Sequence, residues 1–117
     1  MIVGVGIDVV DIARLGERLE RTPALLDRVF TAAERDLPLR SLAARFAAKE
    51  AVGKALMTPG DLPWQGVEVT SGVHGEPVLA ISGKVAERAE ALGADRLHIS
   101  LSHDGGIATA IVVAETA

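Results

Sequence analysis

The sequence predicts an α+β (α/β) fold, a mostly antiparallel sheet packed against helices, one of them long and central. Three stretches carry that reading. Residues 2 to 10 form a β-branched run, residues 45 to 56 (RFAAKEAVGKAL) have helical periodicity with one alanine face, and residues 97 to 114 hold two strand patterns around HDGG.

Taken in order, Ile2, Val3, Val5, Ile7, Val9 and Val10 predict a first strand buried on both faces, with Asp8 as its exception. Ile12, Leu15 and Leu19 recur at helical spacing over residues 12 to 20. In TPALLDRVF, Thr22 predicts an N-cap and Pro23 a first helical position. Thr31 followed by Glu34 in TAAE has the pattern of a capping box. After Pro38, Ser41 is expected to cap the long helix, which runs to about Leu56 and is ended by MTPGDLP. Residues 67 to 70 and 77 to 81 read as a strand pair joined by SGVHGEP. Ser82 opens a helix with Val85, Ala89 and Leu92 on one side and Gly93 as its stop. Leu97, Ile99 and Leu101 then alternate with His98, Ser100 and Ser102, giving a strand with one apolar and one polar face. HDGG turns the chain into the returning strand IATAIVVA. One domain over residues 1 to 117 is expected, with no internal repeat or linker.

Composition narrows the function classes. The chain is 49% hydrophobic and 24% charged, as in globular proteins, and its core must be aliphatic because it has two Phe, one Trp and no Tyr. There is no cysteine, which excludes disulfides and thiolate metal sites and fits a reducing compartment. No apolar run approaches the ~20 residues needed to cross a bilayer, and the N-terminal run lacks a basic n-region. A cytoplasmic protein is expected. A net charge of −4 argues against a nucleic-acid partner but leaves room for a local cationic pocket.

On a helical wheel, Ala47, Ala48, Ala51, Val52, Ala55 and Leu56 cover one half of the alanine-rich helix. Arg45, Phe46, Lys49, Glu50, Gly53 and Lys54 cover the other. Small side chains let the axis approach its support, so the charged half is displayed close to the sheet. The plain alternative is a solvated face with a Glu50–Lys54 pair. Two residues weigh against it: Gly53 is costly in mid-helix, by roughly 1 kcal/mol relative to Ala, and Phe46 sits inside the polar half as if lining a pocket.

Asp8 within an apolar strand is either bonded to backbone amides at the strand's end or bound to a metal. If it converges with Glu50, two hard oxygen ligands suit Mg²⁺, which keeps waters and is completed by substrate phosphates. Lys54 and Arg45 would then meet phosphate charge. The cluster HISLSHDGG raises a Ser/His/Asp triad, but G-x-S-x-G is absent and adjacent strand residues face opposite ways. A polar hairpin tip and a histidine near phosphate are the remaining readings of His103.

GVGIDVVDIARL, RFAAKEAVGKAL and ISLSHDGGIATAIVV, in this order and spacing, resemble the holo-acyl-carrier-protein synthases, the small bacterial type of 4′-phosphopantetheinyl transferase. GEPVLAISGKVAERAEALG is similar to the segment before that family's last strands, so the resemblance spans residues 2 to 114. It implies the phosphopantetheinyl transferase fold, a homotrimer with active sites between subunits, and a Mg²⁺-dependent reaction. In that reaction coenzyme A donates 4′-phosphopantetheine to a serine of apo acyl carrier protein, releasing adenosine 3′,5′-bisphosphate. By the resemblance Asp8 and Glu50 bind the metal and Lys54 contacts the diphosphate. Arg45 and His103 lie near the 3′-phosphate, and Gly75 and Pro77 form the loop near the adenine. Arg14 sits on the helix that meets the acidic carrier, in a region that also holds Arg18, Arg21 and Arg28. The stretch between TAAERDL and RFAAKE is short for the family, as if a loop were trimmed. Asp8, Glu50 and Lys54 are the expected catalytic group, with Glu50 the first candidate for the base and Asp104 a second. A Mg²⁺-dependent phosphohydrolase of a nucleotide diphosphate would use the same acids and lysine with water as nucleophile.

Overall fold

The computed structural model describes residues 1–58 and 62–117. Pro59, Gly60 and Asp61, in the predicted helix-ending stretch, lie outside the described residues. The elements are β1 (Ile2–Asp11), α1 (Ile12–Arg21), α2 (Ala24–Val29), α3 (Leu39–Ala55), a short 3₁₀ turn (Trp64–Gly66), β2 (Val67–Ser71), β3 (Pro77–Ile81), α4 (Gly83–Ala91), β4 (Arg96–Asp104) and β5 (Ile107–Glu115). β1, β5 and β4 form an antiparallel sheet in that order, and β2 and β3 pair as a separate antiparallel hairpin. The α+β prediction and each predicted strand are present.

Helix α3 lies on one face of the three-stranded sheet, and the chain's smallest residues let it do so. Period-two alternation puts Gly4, Gly6, Asp8 and Val10 of β1 on the α3 side, in register with Ala114, Val112, Ala110 and Ala108 of β5. A Cβ at Gly4 or Gly6 would stand 1.9 Å from the carbonyl oxygen of Ala55 or Ala51. Only hydrogen side chains admit the helix there. The alanine half of α3 is fully buried, as predicted: Ala47, Ala48, Ala51, Val52, Ala55 and Leu56 pack with Val112, Ala114, Val67 and Val69. A second cluster, centred on Phe30, Val29, Leu15 and Leu42, holds α1 and α2 against the other end of α3. The β4–β5 hairpin turns at Gly105 and Gly106, whose φ angles of 55° and 79° meet the demand of a type I′ turn for two left-handed residues.

Five expectations need correction. β1 is not buried on both faces: Val5, Ile7 and Val9 are 56%, 58% and 59% exposed, because nothing in the protomer covers that side. With Ile107 and Ile111 of β5 they make an apolar sheet face turned outward. Thr22 does not cap α2; its carbonyl accepts from Leu25, and Pro23 stands before the helix rather than inside it. Ser41 lies within the first turn of α3, whose start is set by Pro38; the Pro38 carbonyl accepts from Ser41 and Leu42. Thr31 and Glu34 close a turn instead of starting a helix. Only the return bond of a capping box forms, from Thr31 N–H to Glu34 Oε1 at 2.9 Å.

Fifth, the charged half of α3 is not all displayed. Lys49 and Glu34 are fully buried and paired at 3.0 Å. The Lys49 ammonium also donates to the carbonyls of Trp64 and Val67, and Glu34 Oε2 accepts from Val69 N–H at 2.9 Å. Arg45, also buried, donates from Nε to the Val69 carbonyl at 3.2 Å. This flank fastens the hairpin to α3. Burial lowers the Lys49 pKa, and the neighbouring charges of Glu34 and Glu68 oppose that.

Candidate active site

The other flank of α3 faces the β1 edge. Glu50 and Lys54, one turn apart, come beside Asp8, which the strand's alternation turns inward two residues beyond Gly6. Lys54 Nζ donates to Asp8 Oδ1 at 3.2 Å and to the Ile7 carbonyl at 2.8 Å. In place of the Glu50–Lys54 surface pair of the plain alternative, Lys54 makes a link from helix to strand. Asp8 is mid-strand, its carbonyl accepting from Thr109 Oγ1 at 2.8 Å. The aspartate at the strand's end is Asp11, which caps α1 through the Arg14 N–H at 3.0 Å. That cap was readable as Asp immediately before an apolar helical period.

Asp8 and Glu50 line one open cavity of about 370 Å³ between β1, α1 and α3. Arg14 and Arg18 stand at its α1 side and Phe46 on its wall. The Arg18 guanidinium lies 5.9 Å from the Phe46 ring centroid, and that ring packs 5.4 Å from Trp64. Phe46 therefore lines a pocket, as its position in the polar half predicted. The Glu50 carboxyl is pushed upward by burial and then by the Asp8 charge, with Lys54 and Arg18 pulling the other way. Two crowded carboxylates are a setting that a cation relieves. Among the described residues no group of three or more His, Asp or Glu forms a complete metal cage. The donor set at Asp8 and Glu50 fits a hard divalent ion that completes its shell with water and phosphate oxygens.

The other four predicted binding residues meet elsewhere. Arg45, Gly75, Pro77 and His103 line a cavity of about 220 Å³ with Ser71, whose Oγ accepts from Arg45 at 3.4 Å. His103 is on the same sheet face as Asp8, but on β4, with β5 between them. Two strand spacings separate the sets by about 10 Å, and α3 lies across the gap. The protomer thus carries an acidic half-site at its β1 edge and a basic half-site at its β4 edge. Asp104 belongs to neither: it follows His103 and turns to the opposite sheet face. Arg18, Arg21 and Arg28 border a further surface hollow with Leu25, so α1 and α2 present their arginines together.

A model of the 4′-phosphopantetheinyl transferase superfamily matches residues 4–112. The chain is 56% identical over 115 residues to the holo-[acyl-carrier-protein] synthase of Clavibacter michiganensis subsp. michiganensis, covering 98% of this chain and 97% of that protein. It superposes on the crystal structure of the Neisseria meningitidis holo-[acyl-carrier-protein] synthase with a TM-score of 0.89, at 30% identity, covering 99% and 100% of the two chains. The Helicobacter pylori holo-[acyl-carrier-protein] synthase, solved in complex with coenzyme A, is similar with a TM-score of 0.83, 30% identity and coverage of 95% and 99%. The chain belongs to the 4′-phosphopantetheinyl transferase superfamily, in its small, holo-[acyl-carrier-protein] synthase branch.

Proposed function

We propose that this protein transfers the 4′-phosphopantetheine group of coenzyme A to a serine of an apo acyl carrier protein in a Mg²⁺-dependent reaction, releasing adenosine 3′,5′-bisphosphate. The observation that carries the reading is the convergence of Asp8, Glu50 and Lys54 from β1 and α3, with an arginine-lined mouth on α1. Coenzyme A in the complex of the Helicobacter pylori relative supports the donor.

The reaction joins the serine oxygen to the β-phosphorus and breaks the bond from that phosphorus to the bridging oxygen. Both electrophile and leaving group are anionic, so positioning and charge neutralisation carry the chemistry. Asp8 and Glu50 would hold Mg²⁺, which when bound would supply Lewis-acid charge to the reaction. Lys54 is anchored beside Asp8 and meets the charge that builds on the departing α-phosphate. Glu50, which lines the cavity shared with Arg14 and Arg18 of α1, accepts the serine proton directly or through an intervening water. Arg45 and His103 hold the 3′-phosphate, and Gly75 and Pro77 border the adenine. Arg14, Arg18, Arg21 and Arg28 attract the acidic carrier.

A homotrimer completes the site. A substrate touching both half-sites must bridge the β1 edge of one protomer and the β4 edge of the next, a head-to-tail contact that closes into a ring. The outward apolar face of Val5, Ile7, Val9 and Ile111 supports the assembly, because such a face is covered in a stable protein.

Mass spectrometry of an apo acyl carrier protein incubated with the enzyme, Mg²⁺ and coenzyme A tests the reading. The carrier gains one phosphopantetheine group. Release of adenosine 3′,5′-bisphosphate from coenzyme A at the same rate without carrier would instead make the protein a phosphohydrolase.

A further inference from the structure

A groove of about 280 Å³ adjoins the acid cavity on the far side of Glu50. Glu50 and Lys54 form its charged end, and Met57, Leu62 and Trp64 its apolar walls. Gly53 opens it: the position faces the groove with no side chain, and a Cβ there would reach Leu62 Cδ1 at 3.6 Å, an ordinary contact. Among the described residues, packing therefore does not demand glycine, although glycine weakens a helix interior. The space it leaves is at the disposal of a ligand.

We infer, resting on the transfer reaction proposed above, that this groove receives the pantoyl end of the arm being transferred, and that Gly53 sets how bulky that end can be. The β-phosphorus fixes three directions. In in-line displacement the serine oxygen and the leaving oxygen stand on opposite sides of the phosphorus, and the arm's own oxygen lies between them, in the equatorial plane. The serine comes from the arginine-lined mouth on α1. The arm must then leave the phosphorus sideways, and the groove beside Lys54 opens there. Its chemistry fits. The pantoyl unit is uncharged and carries two geminal methyl groups next to the phosphate ester, matching an apolar channel that begins at a lysine. Met57, which lines the groove, is half-exposed, so the amide-linked remainder of the arm can continue past it toward solvent.

The test compares two ligands that differ by the arm. Steady-state transfer gives KM for coenzyme A, and calorimetry gives Kd for adenosine 3′,5′-bisphosphate, which lacks it. In the series wild type, Gly53→Ala, Gly53→Leu, KM climbs at each step and reaches tenfold or more in the leucine variant, while Kd for the nucleotide stays within twofold. Both substitutions raise helix propensity, and retained nucleotide binding reports an intact fold. An unchanged KM in Gly53→Leu, or equal weakening of coenzyme A and nucleotide, overturns the assignment. Absence of transfer by the wild-type protein in the same assay would overturn the parent reading, and this one with it.

Discussion

Lys54 Nζ stands 3.2 Å from Asp8 Oδ1, joining a helix and a strand whose residues are 46 positions apart in the chain. The contact exists because Gly4 and Gly6 let α3 descend onto β1. The chemistry proposed for the site thus depends on packing two and four residues away from Asp8.

Gly6→Ala tests that dependence. Its Cβ would meet the Ala51 backbone, which cannot turn aside as a side chain could. Overpacking of this kind costs about 1–3 kcal/mol or more. Thermal denaturation should show a lower Tm. Transfer assayed well below that Tm should also fall, because the displaced helix carries Glu50 and Lys54 away from Asp8. A variant of normal stability and activity would remove the close approach from the account.

His103→Ala should raise KM for coenzyme A and leave kcat close to that of the wild type, since His103 lines the basic cavity with Arg45 rather than the acid cavity with Glu50. Steady-state kinetics decide the matter. A collapse of kcat at constant KM would move His103 into the chemical step.

Lys49→Met leaves Glu34 charged and unpaired in a site without solvent access. Breaking a buried pair on one side costs about 3–5 kcal/mol, which urea denaturation would register. Adding Glu34→Gln removes the stranded charge while keeping one acceptor for the amides of Thr31 and Val69, so the double variant should recover part of the loss. A double variant no more stable than Lys49→Met alone would contradict this.

Ile111→Asp puts a charge in the middle of the outward apolar face, beside Ile7 in register on β1. The protomer keeps its core, since the side chain points away from α3, but the proposed trimer should dissociate. Sedimentation velocity should show monomer in place of trimer. Transfer should fall with it, because the acidic and basic half-sites no longer meet. A monomer retaining full activity would show that one protomer suffices.

Much of this architecture was legible in the sequence. The alanine face of α3 and the alternation of Leu97, Ile99 and Leu101 are periodic signals, and both packed as read. Phe46 and Gly53 stood out as misfits on a polar half-helix, and both border cavities. The errors have physical causes. A run such as Val5, Ile7 and Val9 looks the same whether the protomer or another subunit covers it, so the exposed face of β1 was not visible. Lys49 reads as a displayed charge and Glu34 as a capping-box acid because their pairing spans 15 residues, and no local pattern announces it. Residue type makes Thr22 and Ser41 look like caps, while Pro23, next to Thr22, and Pro38, three residues before Ser41, fix where the helices begin. The division of the predicted residues into two half-sites follows from strand order, which local sequence does not contain.

In the proposed reaction Asp8 and Glu50 hold a single divalent cation for the diphosphate. Titration with Mn²⁺ in the presence of coenzyme A, followed by electron paramagnetic resonance, measures it directly. Wild-type protein should bind the ion saturably, and Asp8→Asn and Glu50→Gln should each weaken binding at least tenfold, with transfer falling by about 10²-fold or more and circular dichroism unchanged. Undiminished Mn²⁺ binding in either variant would contradict the claim.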